Sequence, residues 1–170
     1  MERQTVLIVD DSELNRMMLM EILGEQYRYI EASDGREAVR LMEKKPTVDL
    51  MLLDINMPEM NGFQVLEQMN RFRWIDEIPV IMISADETSQ AIQQAYAMGV
   101  TDYIRRPFDT FIVRRRVENT LKLYANQKRL MHLVSDQIRE KEENSNLMVG
   151  ILSHVVEFRN HEGGDHIRNI

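Results

Sequence analysis

Acidic side chains follow two apolar runs of this sequence, each directly after the last apolar residue. Asp10 and Asp11 come after the β-branched run Thr5 to Val9, and Asp54 comes after Leu50 to Leu53, which is apolar at every position. Runs without polar alternation are typical of parallel strands covered by helices on both faces. Because the carboxyl ends of parallel strands meet at one edge of a sheet, we expect the three carboxylates to lie close together there.

Three carboxylates brought together repel one another, and each raises the proton affinity of the others unless a positive charge lies among them. A divalent cation meets that need, and ligation by oxygen alone selects a hard ion. Few protein ligands leave room for water and a phosphoryl oxygen, which suits Mg²⁺ better than Ca²⁺. A turn residue or helix N-cap is the alternative for Asp10 or Asp34 taken alone. For the set, the sequence predicts a Mg²⁺ site.

Strand and helix patterns alternate through the first part of the chain. The predicted strands are Thr5–Val9, Tyr27–Ala32, a run from Val48 that ends at Asp54, Val80–Ile83 and Tyr103–Ile104. Right-handed crossovers place the intervening helices on both faces of such a sheet. The predicted fold class is therefore α/β: a doubly wound, flavodoxin-like, five-stranded parallel sheet of order 2-1-3-4-5 with a long C-terminal helical extension. The direction of winding reverses between the first and third strands, which places a crevice between the acidic groups.

Residues 1–126 resemble the receiver domain of two-component response regulators. The matching residues are Asp10-Asp11, Asp54 with Met57-Pro58 and Gly62, Ser84-Ala85, Tyr103, and a basic residue before Pro107-Phe108. The resemblance implies that Asp54 accepts a phosphoryl group from a sensor histidine kinase or a phosphotransfer protein. It implies that Asp11, Asp54 and the backbone carbonyl of Asn56 bind Mg²⁺, and that Asp10 helps through water. It also implies that the Ser84 hydroxyl contacts the phosphoryl group and that Tyr103 changes rotamer with it.

One position departs from the family pattern. The family has Lys before the proline, whereas this chain has Arg106. Arginine keeps the charge but replaces a compact ammonium with a longer planar fork. Two alternatives follow: Arg106 contacts the phosphate bidentately and takes part in switching, or the switch is altered, which would make the chain a pseudo-receiver that only docks partners.

Asp109 to Glu142 contains neither Gly nor Pro and is predicted to form one helix that leaves the receiver. Apolar residues recur along it at spacings of three and four, and this pattern favours a two-stranded coiled coil, hence a homodimer through the exit helix. A solvated connecting helix is the alternative, because polar residues interrupt the seam. The predicted seam consists of Val117, Leu121, Tyr124, Lys128, Met131, Ser135, Ile138 and Glu142, reinforced by Leu130 and Val134.

The last residues, EFRNHEGGDHIRNI, resemble the opening of an HD-GYP domain, a cyclic di-GMP phosphodiesterase family. The resemblance makes Glu162 and His166 candidate metal ligands, although the His-Asp dyad and the GYP motif are absent. We therefore predict a receiver at 1–126, a helical linker at 127–144 and the start of an output domain at 145–170, which we expect to continue in a longer regulator.

Composition narrows the remaining functions. The net charge of -7 and the lack of a sustained basic stripe argue against a nucleic-acid surface. The chain has no cysteine and no apolar run long enough to span a bilayer, so a cytoplasmic protein without a membrane partner is expected. Since the phosphodiesterase motifs are missing, we expect a regulatory receiver that assists its own phosphorylation rather than an enzyme. A metallo-phosphodiesterase in the full-length protein is the alternative.

Overall fold

A computed structural model of the chain describes residues 2–85 and 88–165, and its side chains as far as Glu157. The strands are β1 (Thr5–Val9), β2 (Arg28–Ala32), β3 (Leu50–Asp54), β4 (Val80–Ser84) and β5 (Asp102–Arg105). The α-helices are α1 (Glu13–Leu23), α2 (Gly35–Glu43), α3 (Gly62–Arg71), α4 (Ser89–Ala97) and α5 (Thr110–Asp165). A short 3-10 helix at Trp74–Asp76 lies between α3 and β4.

The five strands form one parallel sheet of order β2-β1-β3-β4-β5, which confirms the predicted fold class. Alternate side chains of each strand enter two different hydrophobic clusters. Leu7 and Val9 of β1 belong to one cluster, and Val6 and Ile8 belong to the other. Each fully buried aliphatic side chain stabilises the fold by roughly 1.5–3 kcal/mol. A sheet with both faces covered therefore holds its carboxyl edge in a fixed geometry.

Local hydrogen bonds explain where these elements begin. Side-chain oxygens accept backbone N–H groups at the starts of four helices, as N-caps do. β3 starts at Leu50 rather than at Val48. Directly before it, the Asp49 carboxylate accepts the Thr5 N–H at 2.7 Å, and the Asp49 N–H donates to the Thr5 carbonyl at 2.8 Å. The residues that cap the four helices are Ser12 for α1, Asp34 for α2, Asn61 for α3 and Thr88 for α4.

The chain divides into two compact units, Met1–Tyr124 and Ala125–Ile170. In the first unit, Val117 and Leu121 are buried in the cluster that contains Val6 and Ile8. The prediction that these two residues begin a dimer seam is therefore wrong, since they cover one face of the sheet instead.

The described part of the second unit is the remainder of α5, from Ala125 to Asp165. Every residue from 125 to 157 is exposed, and large apolar side chains such as Met131 and Ile138 are among them. Within the described part of the chain, no helix is both long and apolar enough to cross a membrane.

Candidate functional site

Three carboxylates converge at the carboxyl edge of the sheet. Asp54 is the last residue of β3. Asp10 directly follows β1, which pairs with β3. Asp10, Asp11 and Asp54 can each offer one oxygen such that all three oxygens lie within 4.8 Å of one another. Asp10 and Asp54 are completely buried, whereas Asp11 is exposed. The prediction from the strand ends thus describes the observed arrangement of these three side chains.

The first turns of α1 hold Asp10 in place. Its Oδ1 accepts the backbone N–H of Ser12 at 2.9 Å, and Asn15 Nδ2 lies 3.4 Å from its Oδ2. Arg16 Nη1 donates to the Asp10 carbonyl at 2.7 Å, and Arg16 Nε donates to the Glu31 carboxylate at 3.1 Å. The helix that starts at Ser12 therefore fixes both the side chain and the backbone of Asp10.

The two carboxylate oxygens of Asp54 have different surroundings. Oδ1 accepts the backbone N–H of Asn56 at 3.3 Å and Arg106 Nη2 at 2.5 Å. Oδ2 is buried and has no hydrogen-bond partner among the described residues. The backbone of Arg106 is also held close to the site, because its N–H donates to the Ser84 carbonyl at 3.0 Å. One oxygen of Asp54 is therefore saturated and the other is available.

Burial dominates the electrostatics of these acids. Removal from water and, to a smaller extent, the neighbouring Asp10 carboxylate raise the pKa of Asp54 to about 6, although Arg106 and the Asn56 N–H lower it. Burial also raises the pKa of Asp10, against the Ser12 hydrogen bond that lowers it. Arg106 compensates this burial only in part, so the two carboxylates hold their negative charge at an energetic cost.

Gly62 closes the loop that follows Asp54. Its N–H donates to the Ile55 carbonyl at 2.9 Å, so the first residue of α3 lies against the end of β3. A β-carbon at this position would lie 2.5 Å from the Asp54 carbonyl oxygen and 2.9 Å from Ile55 Cα, both of which are backbone atoms. Only glycine allows this approach without moving the strand end that carries Asp54.

Comparison with known proteins agrees with this arrangement. Residues 6–118 match the family described as response regulator receiver domain. The chain belongs to the response regulator receiver family.

Three relatives illustrate the range of this family. A chemotaxis protein CheY homolog of Campylobacter jejuni is 30% identical over 118 residues, which cover 68% of this chain and 91% of that protein. A probable cyclic di-GMP phosphodiesterase of Vibrio cholerae is 30% identical over 170 residues, which cover 96% of this chain. This chain spans 38% of the length of that Vibrio protein. The crystal structure of a CheX-CheY-BeF3-Mg²⁺ complex from Borrelia burgdorferi matches with a TM-score of 0.63 at 34% identity, covering 68% of this chain and 87% of that one.

The acidic pocket of this receiver domain fits a divalent cation. Receiver domains typically bind Mg²⁺ in such a pocket, and here the buried, unpartnered Oδ2 of Asp54 is an oxygen that a hard cation would satisfy. The exposed Asp11 lies at the solvent side of the cluster, where water ligands would complete the coordination. Asn56, whose carbonyl is the fourth predicted ligand, follows Asp54 by two residues and is exposed.

The predicted switch residues lie on the two strands beyond Asp54. Ser84 is buried at the end of β4, whereas Tyr103 pairs with Met82 and lies inside β5. Tyr103 is buried and lines a cavity of about 500 Å³. Arg116 of α5 donates to the Tyr103 carbonyl and lies 3.9 Å from Asp102. The first turns of α5 are thus bound to the strand that carries Tyr103.

Sequence reasoning did not identify Asn15, Arg16 or Arg116 as parts of this region. The first two lie five and six residues after Asp10, at positions that the N-cap at Ser12 turns toward the strand end, and this spacing was the available signal. Arg116 had none, because it is the last of three consecutive arginines and the sequence does not show which of them contacts the sheet. Of the two candidate ligands near the C-terminus, His166 lies outside the described residues, as does the side chain of Glu162.

Proposed function

We propose that this receiver domain is a phosphorylation-controlled switch in which Asp54 accepts a phosphoryl group from a histidine kinase or a phosphotransfer protein. Receiver domains interact with such donors and are regulatory rather than enzymatic. The observation that carries the proposal is the unequal carboxylate of Asp54: one oxygen is held by Asn56 and Arg106, and the other is buried without a partner.

The proposed step is a phosphoryl transfer. An oxygen of Asp54 attacks phosphorus, an O–P bond forms, and the bond from phosphorus to the donor nitrogen breaks. The electron pair of that bond returns to the donor imidazole. Catalysis of this kind consists of positioning and charge neutralisation. In this chain β3 and Gly62 fix the position of Asp54, and Arg106 supplies a positive charge next to it.

Asp10, Asp11, Asp54 and the backbone carbonyl of Asn56 are the proposed Mg²⁺ site, with Asp10 acting through water. The ion would supply the charge neutralisation that the acid cluster otherwise lacks. The clustering of the three carboxylates within 4.8 Å and the raised pKa of Asp54 support this assignment.

We propose Ser84, Tyr103 and Arg106 as the residues that sense the phosphoryl group. The cavity beside Tyr103 offers space for a rotamer change, and Arg116 joins the backbone of Tyr103 to α5. Phosphorylation of Asp54 would then alter the contact between β5 and the first turns of α5.

The switch is proposed to control an attached output domain. We retain the division into a receiver at 1–126, a linker at 127–144 and an output domain that starts at 145–170. A cyclic di-GMP phosphodiesterase is the output we favour, because the Vibrio relative of that description is similar over 96% of this chain. Glu162 and His166 would be metal ligands of that domain, and the whole regulator would act in the cytoplasm.

A homodimer through the exit helix belongs to the same proposal. Beyond Tyr124, the side chains of Met131 and Ile138 are 71% and 54% exposed, although both are apolar. Pairing with the same face of a second copy would remove them from water.

A docking module without phosphorylation is the second candidate. The close pairing of Arg106 with Asp54 favours it, because a guanidinium already neutralises the carboxylate that would have to react.

Intact-mass measurement with acetyl phosphate and Mg²⁺ separates the two functions. We expect the wild type to gain one phosphoryl group, and Asp54→Asn to gain none. The matched control is Asp49→Asn, which removes the aspartate that directly precedes the same strand. Equal labelling of wild type and Asp54→Asn would refute the acceptor assignment, and absence of labelling in the wild type would favour the docking module.

A further inference from the structure

Arg16 of α1 joins the backbone at the end of β1 to a side chain near the end of β2. Its Nη1 donates to the Asp10 carbonyl at 2.7 Å, and its Nε donates to the Glu31 carboxylate at 3.1 Å. The Arg16 side chain is only 13% exposed. A planar guanidinium whose donors are engaged by two separate acceptors is held in one orientation. Arg16 is therefore a fixed link between the two strand ends and not a solvated surface charge.

The Asp10 carbonyl belongs to the peptide group that joins the two neighbouring acids. Because a peptide group is planar, the direction of this carbonyl also sets where the chain continues to Asp11. The other polar atom of this backbone is held as well, since the Asp10 N–H donates to the Ala32 carbonyl at 3.1 Å. Both contacts lead to the end of β2, one directly and one through Arg16 and Glu31.

This hold on the backbone has its main consequence at Asp11. Asp10 is buried, and its own carboxylate accepts the Ser12 N–H, so it is fixed by its surroundings. Asp11 is exposed, so packing does not fix its side chain. The position of the Asp11 carboxylate therefore depends on the peptide group before it. Mg²⁺ requires near-ideal octahedral geometry, which makes it sensitive to a small displacement of one oxygen.

We infer that Arg16 is a positioning residue for the Mg²⁺ site, which holds the peptide group between Asp10 and Asp11 and is itself oriented by Glu31. This inference rests on the proposed Mg²⁺ site, and it adds two residues that act through the backbone rather than as ligands. Loss of a group that orients a metal ligand typically weakens metal binding by about 10- to 100-fold.

The charge of Arg16 works against its geometric role. A cationic side chain beside a cation site repels the ion, and the Glu31 carboxylate next to it offsets that repulsion. Removal of the Arg16 charge by itself would therefore strengthen Mg²⁺ binding, whereas loss of positioning would weaken it. The sign of the change in affinity distinguishes the two effects.

NMR titration of the full chain with MgCl₂ measures this sign, with the backbone amides of Asp11 and Asn56 as reporters of the site. Arg16→Gln should bind Mg²⁺ at least about ten-fold more weakly than the wild type. Arg16→Lys keeps the charge and one flexible donor group, and it should recover part of this loss. Glu31→Ala should weaken binding by about three-fold, the effect of losing one exposed ion pair.

Arg28→Gln is the matched control, because it removes the same charge at the first residue of β2, at the other end of that strand. It should bind Mg²⁺ as the wild type does. Equal or tighter binding by Arg16→Gln would overturn the inference and leave the Mg²⁺ site in place. If Arg16→Gln does not fold, Glu31→Ala decides, and wild-type affinity in that variant would overturn the inference. A wild type whose amides do not respond to Mg²⁺ would overturn the proposed site together with the inference.

Discussion

The carboxyl edge of the sheet and the exposed part of α5 depart from ordinary packing in opposite directions. At the edge, the polar groups of Asp10, Asp54 and Ser84 are buried. Along α5 after Tyr124, apolar side chains such as Met131 are exposed. Buried charge is unfavourable without compensation, and exposed apolar surface is unfavourable without a partner.

The difference between the two regions decides which kind of partner we propose for each. At the edge, the proposed partner is small and positive, because three carboxylates lie within reach of one another there. Along α5, the proposed partner is a large apolar surface, because the exposed apolar residues extend over many turns of one helix. We therefore expect phosphoryl transfer at the edge of the sheet and self-association along the helix.

The largest predicted effect is on stability, and it compares a glycine-to-alanine substitution in each of the two regions. Gly62→Ala forces a β-carbon against the backbone at the end of β3, and we expect it to destabilise the receiver by about 3 kcal/mol. Gly150→Ala adds a methyl group in α5 with nothing within 4 Å, and should increase helix stability by up to about 1 kcal/mol. Urea unfolding of both variants measures the contrast, and a Gly62→Ala protein as stable as the wild type would contradict the tight packing at the edge.

The second prediction concerns the cost of buried charge at the edge. The pKa of Asp54 is raised from 3.8 to about 6 in the folded protein, so folding favours the protonated form. The stability associated with that proton is fully present below about pH 4 and is lost as the pH rises through about 6. A shift of about two units corresponds to about 3 kcal/mol, and because this net shift already includes the pairing with Arg106, Asp54→Asn should be more stable than the wild type by up to about 3 kcal/mol at pH 7.5.

Urea unfolding without divalent cations, from pH 4 to pH 8, measures this effect. The difference in unfolding free energy between Asp54→Asn and wild type should approach zero at pH 4 and grow toward pH 7.5. Asp49→Asn is the control for a general effect of removing an aspartate. A difference that does not depend on pH would show that Asp54 titrates normally.

The convergence of the three acids was predictable, because strand ends in a parallel sheet meet at one edge whatever the side-chain details. The contact between Arg106 and Asp54 was predictable only as proximity. Which nitrogen donates, and which donors and acceptors stay unsatisfied, depends on rotamers and on packing between residues 52 positions apart. The close approach of Gly62 to β3 likewise depends on the path of a loop with no periodic pattern.

The failed part of the seam prediction has a related cause. Val117 and Leu121 have the three- and four-residue spacing of a dimer seam, and residues that face a sheet have the same spacing. Periodicity identifies the apolar side of a helix but not the surface that covers it. In this chain the sheet covers α5 as far as Leu121, and only the later seam residues remain exposed.

The smallest predicted effect tests what the exposed part of α5 lacks. If a second copy covers the seam, Met131→Glu places a charge in the dimer interface and should weaken self-association about ten-fold, or about 1.4 kcal/mol. Leu133→Glu is the matched control, because it makes the same change on the opposite side of the helix, where the side chain is also exposed. Sedimentation equilibrium over a range of concentrations measures both variants against the wild type. Equal weakening by the two variants would show that the predicted seam is on the wrong side of the helix. A monomeric wild type would show that this part of α5 is a solvated connecting helix.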